Sequence, residues 1–301
     1  TKLIAMLNAL NDYSVPMSDI LGKYFDTENL AYWMAFQLLT GNTDTQSRNM
    51  YLYSPTNSDT FYVLDWDNDG MLMRKEYEIK QRSDGKSWEN GISNYWGNML
   101  FSRCLQTKSF RTALDKAIKD EYKYMNANRI NSMVKHYRSI TEKYVWKMPD
   151  SMYEGVTKSQ YDVIANQLHS EIEQNYQTYQ TGFNKPMPFY IGTPTPTNGK
   201  LKLNWDVSYD FNDEDLRYTV TVSKDYAGND VVFSQSDVVL PEAVIDMPGE
   251  GQYFIKVSVR NASGYTQDAF DHYITDGNKI YGTKCFYVKA DGSIVEDANA
   301  Q

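Results

Sequence analysis

Residues 41–53, GNTDTQSRNMYLY, and residues 65–70, DWDNDG, decide how the first part of this chain is interpreted. The first stretch places Asp44 and Asn49 five positions apart, and the second supplies three carboxylates after the apolar run 61–64. Enzymes that act on phosphates use one carboxylate to orient a hydroxyl, and an amide oxygen with another carboxylate to hold a divalent cation. The D-x-x-x-x-N spacing also occurs in the protein-kinase catalytic loop. The spacing alone is weak, but loop, strand-like run and acidic turn in this order are more specific.

A helical segment precedes this stretch, so the order is helix, G-N-x-D-x-x-x-x-N-x-Y-L-Y, a variable hairpin and a W-D-x-D turn. With these motifs the chain resembles the CotH kinase family, atypical kinases similar to spore coat protein H. The resemblance implies that Asp44 is the catalytic Asp and that Asn49 and Asp67 bind a metal, with Asp69 as an accessory ligand. It also implies that the cofactor is Mg²⁺ or another divalent cation.

The resemblance extends from about residue 1 to residue 183 and includes one departure from the family pattern. No glycine-rich nucleotide loop, and no Lys that would pair with phosphates, lies upstream of the Asp44 loop. The chain starts at Thr1, almost at the catalytic helix, so we expect it to be the C-terminal part of a longer protein. ATP would then bind only when an N-terminal lobe is joined to this part.

The acidic turn has a second interpretation, because residues 65–76 also fit the EF-hand pattern D-x-D-x-D-G-x5-E, which ends at Glu76. An EF-hand needs a helix before its loop, whereas residues 61–64 favour a strand, and no second such loop occurs in the sequence. A metal site of the family type is therefore favoured over an EF-hand or an acid-rich structural turn.

Asp44 also has a structural alternative, an Asp held in a turn by local backbone bonds. Arg48 is expected to pair with a neighbouring carboxylate rather than with a phosphate.

The composition is that of a globular protein of 301 residues, long enough for two domains. A net charge of −9 argues against a nucleic-acid surface, and no apolar run reaches the length of a membrane span. Cys104 and Cys285 are expected to be unrelated thiols. The three histidines lack the spacing of a zinc site. The oligomeric state does not follow from the sequence.

We predict an α+β multidomain chain: a mainly helical, kinase C-lobe-like domain with a short β-hairpin at 1–185, an antiparallel β-sandwich at 186–289, and a tail at 290–301. The proline-rich start of the second domain suits a linker or a bent first strand. Alternation of period two follows it, and Trp205 in an early strand resembles a fibronectin type III module. Residues 77–96 are predicted to form either a mobile loop that borders the site or a plain solvated connection. The tail is expected to be disordered or a stub of further sequence.

Two functions remain open from the sequence. The first is phosphoryl transfer from a nucleotide to a protein hydroxyl, with Asp44 orienting the acceptor. The second is a non-catalytic surface or adhesion protein, with a metal-stabilised kinase-like scaffold and an interaction sandwich. By family analogy we expect a bacterial protein located outside the cell or in the cell envelope, with a protein substrate or surface ligand as its partner.

Overall fold

The computed structural model describes residues 1–153 and 155–296. The chain divides into two compact units. Unit 1 consists of Thr1–Gln81 and Asn90–Gln180, and unit 2 consists of Arg82–Glu89 together with the chain from Thr181 onward. Helices come first and antiparallel sheets second, which confirms the predicted α+β class. None of the helices in the described residues is long and apolar enough to cross a membrane.

Unit 1 is helical apart from one β-hairpin, and short 3₁₀ turns connect several of its elements. Its helices are α1 (Lys2–Asn11), α2 (Met17–Tyr24), α3 (Thr27–Thr40), α4 (Arg74–Ile79), α5 (Met99–Gln106), α6 (Lys108–Tyr124), α7 (Ala127–Val145) and α8 (Lys158–Gly182). The hairpin is formed by β1 (Met50–Tyr53) and β2 (Tyr62–Asp65), in antiparallel register with Met50 opposite Asp65.

Helix α3 is the central element of unit 1. Its N-terminus is capped by Asp26, whose Oδ1 accepts a hydrogen bond from the Asn29 backbone N–H at 2.9 Å. The helix ends at Gly41, which has a left-handed φ of 62°. Asp at an N-cap and Gly just after the last turn are residue types that favour such helix ends. Its apolar side chains are buried and pack on α6, and Trp33 stacks on Phe101 of α5 with ring centroids 5.5 Å apart.

Helix α7 differs from the other long helices because it contains no buried residue. Large apolar side chains along it, including Met133, Tyr137 and Ile140, are about half exposed. Helix α8 begins with a capping box: the Gln160 N–H donates to Thr157 Oγ1, and the Thr157 N–H donates to Gln160 Oε1 at 2.8 Å. These two helices therefore begin where local capping chemistry predicts, although α7 leaves an apolar stripe open.

Unit 2 is built from antiparallel strands. They are β3 (Thr195–Thr197), β4 (Lys200–Asn204), β5 (Leu216–Ser223), β6 (Val231–Val238), β7 (Glu242–Asp246), β8 (Gly251–Asn261), β9 (Thr266–Asp268), β10 (His272–Thr275), β11 (Asn278–Tyr281), β12 (Thr283–Val288) and β13 (Ile294–Glu296). One sheet has the order β13-β12-β8-β5-β6, with β9 beside β8, and a second sheet has the order β3-β4-β7. Buried residues of both sheets form one hydrophobic core, as the sandwich prediction requires. Within the described residues unit 2 has eleven strands, of which β3, β9 and β13 have only three residues each.

Two segments that the sequence left open are ordered parts of unit 2. Residues 186–191 contribute Met187, Phe189 and Ile191 to its interior, and Ile191 forms a bridge with Trp205. The expected tail also begins with structure, since β13 pairs with β12 up to residue 296. The prediction of disorder was wrong for this part because Ile294 packs against the sandwich core. Residues 297–301 lie outside the described residues.

Residues 77–96 are not a plain solvated connection: Tyr95 contacts the Asp44 loop, so the segment borders the site as one alternative expected, but other parts of it pack firmly elsewhere. Residues 82–89 belong to unit 2, where Glu89 is buried and its carboxylate binds Lys279 Nζ at 2.6 Å and Tyr281 Oη at 2.7 Å. The Trp88 ring also packs edge-to-face on Tyr281. Polar composition misled the prediction, because a buried ion pair and an aromatic contact fix this segment.

Cys104 and Cys285 are both buried free thiols, which confirms the expectation that they are unrelated. Burial raises the pKa of Cys104, so this side chain is a protonated packing residue.

Candidate active site

The loop that carries Asp44 starts where α3 ends, and its first residues are fixed by α8. A Cβ at Gly41 would lie 2.7 Å from Asn175 Nδ2, so the backbone of Gly41 is packed against that side chain. Asn175 Nδ2 in turn donates to the Leu39 carbonyl at 3.0 Å. The combination of left-handed φ and close contact explains why glycine occupies position 41.

Buried polar contacts hold the middle of the loop. The Tyr95 hydroxyl donates to the Asn42 carbonyl at 3.1 Å and lies 2.8 Å from Thr45 Oγ1. All three residues are almost completely inaccessible to solvent. Burial raises the pKa of Tyr95, so its hydroxyl keeps its proton and acts as a donor. Asn42 Oδ1 also accepts the Asp44 N–H at 3.2 Å, which sets the position of the Asp44 backbone.

Asp44 and Asn49, the catalytic and metal-binding residues expected from the sequence, lie in direct contact. Asn49 Nδ2 donates to Asp44 Oδ2 at 2.6 Å. Arg48 Nε donates to the other oxygen, Asp44 Oδ1, at 2.7 Å, which confirms the expected pairing of Arg48 with a carboxylate. Asn49 has a φ of 57°, a left-handed conformation that Asn tolerates better than most residues. The chain from Asp44 to Asn49 thus forms a closed loop, in which the side chains of Arg48 and Asn49 both donate to the Asp44 carboxylate.

The hairpin delivers the acidic turn to this loop. Asn29, in the first turn of α3, pairs with the backbone of Val63 in both directions and so attaches β2 to the helix. At the end of β2, Gln37 Nε2 donates to Asp65 Oδ1 at 2.8 Å. The same Gln37 amide and the Asn42 amide both contact Asn68 Oδ1 at 3.3 Å. These bonds tie the acidic turn to α3 and to the Asp44 loop.

The turn then passes close to the loop at Gly70. A Cβ there would lie 3.0 Å from Asn42 Oδ1 and 3.6 Å from Asp44 Cβ. The backbone continues through Leu72, whose N–H donates to the Thr40 carbonyl at 2.8 Å. The acidic turn and the Asp44 loop therefore share one small region of unit 1.

Asp67 and Asp69 lie on the exposed side of the turn. Asp67 has a φ of 55° at the start of the 3₁₀ turn Asn68–Gly70. Within the part of the chain that the structure describes, neither side chain makes a hydrogen bond or ion pair, so both remain available to a ligand. The structure thus joins Asp44 to Asn49, and it leaves Asp67 and Asp69 a few residues from Gly70 and open to solvent.

Helix α4, which the sequence did not predict, holds the far end of the turn. Its first two N–H groups, from Arg74 and Lys75, donate to Glu171 Oε2 and Oε1 at 3.2 and 2.9 Å. Glu171 lies on α8 and is buried. Burial raises the pKa of Glu171, against the opposing effect of these two backbone donors. Its carboxyl group satisfies amides that a helix start leaves open.

The EF-hand alternative fails on the flanking element. The loop is entered from the strand β2 rather than from a helix, as the apolar run predicted. Glu76, which would be its last ligand, lies on α4 and pairs with Lys80. No wrapped calcium loop is formed by these residues.

Mg²⁺ or another divalent cation is the cofactor that the family resemblance implies. Mg²⁺ prefers oxygen ligands and usually keeps several waters, so one or two carboxylates with phosphate oxygens suffice. The ligands expected from the sequence, Asn49, Asp67 and the accessory Asp69, carry oxygen atoms of this kind. In residues 1–153 and 155–296, no group of three His, Cys, Asp or Glu side chains is placed to hold a metal ion.

Several residues that build the site were not singled out from the sequence: Gln37, Asn68, Tyr95, Glu171 and Asn175. Only Gln37 carried a signal, since it is a polar residue among the apolar positions of α3. The others lie up to 136 positions from the residue that they contact.

Comparison with known proteins gives one family match. A family model described as CotH kinase protein matches residues 1–179. No curated protein matches the chain at a significant level. Among solved structures, that of surface layer protein SbsC, domains 1–6, is similar at 13% identity and a TM-score of 0.16. The likeness covers 88% of this chain and 38% of that one, and a TM-score this low says nothing about the fold.

Proposed function

The chain belongs to the CotH kinase family, and we propose that, within a longer protein, it supplies the catalytic Asp and the metal ligands of an atypical protein kinase. That kinase would transfer a phosphoryl group from a nucleotide to a protein hydroxyl. The nucleotide would be gripped mainly by an N-terminal lobe that precedes this chain. The family suggests a protein acceptor, and we place the protein outside a bacterial cell or in the cell envelope by analogy alone.

The contact between Asp44 and Asn49, beside an acidic turn fixed by Gln37, is the observation that carries the proposal. Asp44 would orient the acceptor hydroxyl and receive its proton. Asn49 and Asp67, with Asp69 as an accessory ligand, would hold the divalent cation. A cation of this kind neutralises phosphate charge during transfer. This chain would hold Asp44 in a fixed position, because hydrogen bonds from Tyr95 and Asn175 fix the backbone at the start of its loop.

Arg48 must move before Asp44 can accept a proton on Oδ1. Its side chain is 74% exposed, and an exposed ion pair contributes little free energy, so displacement by a substrate costs little. We therefore treat Arg48 as a reversible partner that holds the carboxylate in place between turnovers.

The test compares Asp44→Ala and Asp67→Ala with the matched control Asp59→Ala, an exposed Asp in the hairpin loop. All three changes are made in the longer protein that contains this chain. The first two should lower phosphate transfer at least ~100-fold, because each removes a charge that acts on the transferring group. Asp59→Ala should stay within about twofold of wild type. Transfer that survives Asp44→Ala unchanged would refute the kinase proposal.

The alternative is a non-catalytic surface or adhesion protein in which the kinase-like unit is a metal-stabilised scaffold beside an interaction sandwich. It is favoured by the fact that both oxygens of Asp44 already accept hydrogen bonds from neighbouring residues. Thermal melts with and without Mg²⁺ or Ca²⁺, together with nucleotide titrations of the longer protein, separate the two proposals. Stabilisation by metal without nucleotide affinity supports the scaffold. For this chain alone we expect at most weak ATP binding, and a micromolar dissociation constant would contradict that expectation.

A further inference from the structure

Unit 1 contains a cavity that the proposed kinase chemistry does not use. Its volume is about 640 Å³, and it is bounded by α6, α7 and α8 and by Met71 and Leu72 after the acidic turn. Pockets that hold small molecules have volumes of about 300–1,000 Å³ and mainly apolar walls with few polar groups. The walls here are mainly apolar and include Ile130, Val134 and Leu168.

One acidic group in this wall has no partner. Glu121 lies near the end of α6, and its Oε2 is inaccessible to solvent without any hydrogen-bond partner in the described residues. A buried polar atom of this kind costs free energy unless something pairs with it. Burial, and then the charge of Asp65 on β2, raise the pKa of Glu121 to about 8. Near neutral pH this carboxyl therefore carries a proton.

The other charged groups around the cavity do not supply a partner for Glu121. Arg138 is paired with Glu142 and Asp162. The Arg129 guanidinium lies over the Tyr124 ring, 3.7 Å from its centroid, and that ring is itself part of the wall. From β2, Asp65 adds negative charge, and the remaining titratable groups of the wall are the phenols of Tyr137 and Tyr161. Among the described residues, the Glu121 Oε2 atom is thus left without a hydrogen-bond partner, and Asp65 adds negative charge near it.

We propose that this cavity binds a small apolar molecule that carries one protonated amino group, with its ammonium paired to Glu121 and its hydrocarbon body against the walls from α7 and α8. An ammonium at the Glu121 carboxyl would form a charge-assisted hydrogen bond with it, since Glu121 is part of the cavity wall. A neutral molecule would leave the carboxyl protonated and gain no ion pair, and an anion would face Glu121 together with the negative charge of Asp65. The site is independent of phosphoryl transfer, although Met71 and Leu72 connect its wall to the acidic turn.

Isothermal titration of the 301-residue chain at pH 7 tests this with three probes of one size: 4-phenylbutylamine, 4-phenylbutanol and 4-phenylbutyrate. The amine should bind at least ~10-fold more tightly than the alcohol, and the carboxylate should bind most weakly. Because Glu121 starts protonated, titrations in two buffers of different ionisation enthalpy should show about one proton released per amine bound.

Glu121→Gln should lower the affinity for the amine to that for the alcohol and remove the proton release, while the alcohol itself binds as before. Glu173→Gln, an exposed Glu on α8 outside the cavity wall, is the matched control and should behave as wild type. Ala165→Phe should weaken the amine and the alcohol alike, since the larger ring occupies the cavity. Equal affinities for amine and alcohol, a preference that survives Glu121→Gln, or no binding of the amine would each overturn the proposal.

Discussion

At the scale of single residues, one buried amide joins the two parts of the candidate site. Gln37 lies on α3, is 1% exposed and donates to both Asp65 and Asn68. A residue with a hydrocarbon side chain of similar size would leave these two acceptors without a donor. The position of the acidic turn therefore depends on a residue that takes no part in the proposed chemistry.

Gly41→Ala is expected to destabilise unit 1 by about 1–3 kcal/mol, because the φ of 62° is strained for Ala and the new Cβ would meet Asn175. Gly22→Ala is the matched control, since a Cβ at this position in α2 meets nothing within 4 Å. It should stabilise the protein by about 0.5–1 kcal/mol through helix propensity. Urea denaturation measures both changes, and equal shifts for the two variants would contradict the role of Gly41.

Glu121→Gln should change how stability depends on pH. The pKa of Glu121 is raised from an ordinary value of 4.5 to about 8 in the folded chain, so the folded state binds more protons between these values. Wild type then loses stability as pH rises from about 5 to 8, whereas the Gln side chain does not titrate. As pH rises over this range, the free energy of unfolding of the variant should increase by ~1–2 kcal/mol relative to that of wild type, a figure reduced because Glu121 is partly exposed. Urea midpoints at pH 5 and pH 8 measure the difference, and a constant difference would refute it.

Individual residues also show what sequence can and cannot predict. The pairing of Asp44 with Asn49 follows from a local loop of six residues, so their spacing was informative. Tyr95 and Asn175 reach the same loop from 53 and 136 positions away. A contact between residues so far apart produces no periodic pattern in the sequence. The residue types do not reveal it either, because Tyr and Asn occur in many other surroundings.

At the scale of elements, a carboxyl on one helix replaces the cap of another. Helix α4 has six residues and no side-chain cap of its own, and Glu171 on α8 accepts its first N–H groups. The acidic turn precedes α4 directly. Its far end is consequently fixed by a residue from a helix that begins nearly ninety positions later.

Glu171→Ala should therefore loosen α4 selectively. We expect the free energy of unfolding to fall by about 1–3 kcal/mol, since the N–H groups of Arg74 and Lys75 lose their acceptor. Amide hydrogen exchange at Arg74 and Lys75 should quicken by at least tenfold, while α1 keeps its protection. Glu173→Ala, two residues along the same helix and exposed, provides the comparison. Unchanged exchange at Arg74 and Lys75 would show that α4 does not depend on this cap.

The helices that the sequence predicted are those with local signals. Asp26, Gly41 and the Thr157–Gln160 capping box mark the ends of α3 and the start of α8 within the chain itself. Helix α4 was missed because it is too short for apolar periodicity. Its cap comes from a distant residue, and distance along the chain hides such a contact.

At the scale of the whole molecule, the two units do not follow the order of the sequence. The eight residues Arg82–Glu89 belong to unit 2, although the chain on both sides of them belongs to unit 1. A change of composition can indicate a boundary near residue 186. It cannot indicate that an earlier polar segment packs with strands that are almost two hundred positions away.

Glu89→Ala should destabilise unit 2, even though residue 89 lies in the first third of the chain. The change leaves Lys279 without its closest buried partner, and breaking such a pair costs about 3–5 kcal/mol. Hydrogen exchange should quicken in β10, β11 and β12 and remain slow in α3. Glu250→Ala, an exposed Glu in the same unit, is the control. Loss of protection in α3 instead would contradict the assignment of residue 89 to unit 2.

The route of the chain through these units has a consequence for a protease. One cut after residue 180 would yield two polypeptides, and the first would still contain Trp88 and Glu89, which contact β11 in unit 2. The pieces should therefore copurify as a nicked protein under native conditions and separate only in denaturant. Two enzymatic cuts flanking residues 82–89 as well would be needed to set the sandwich free.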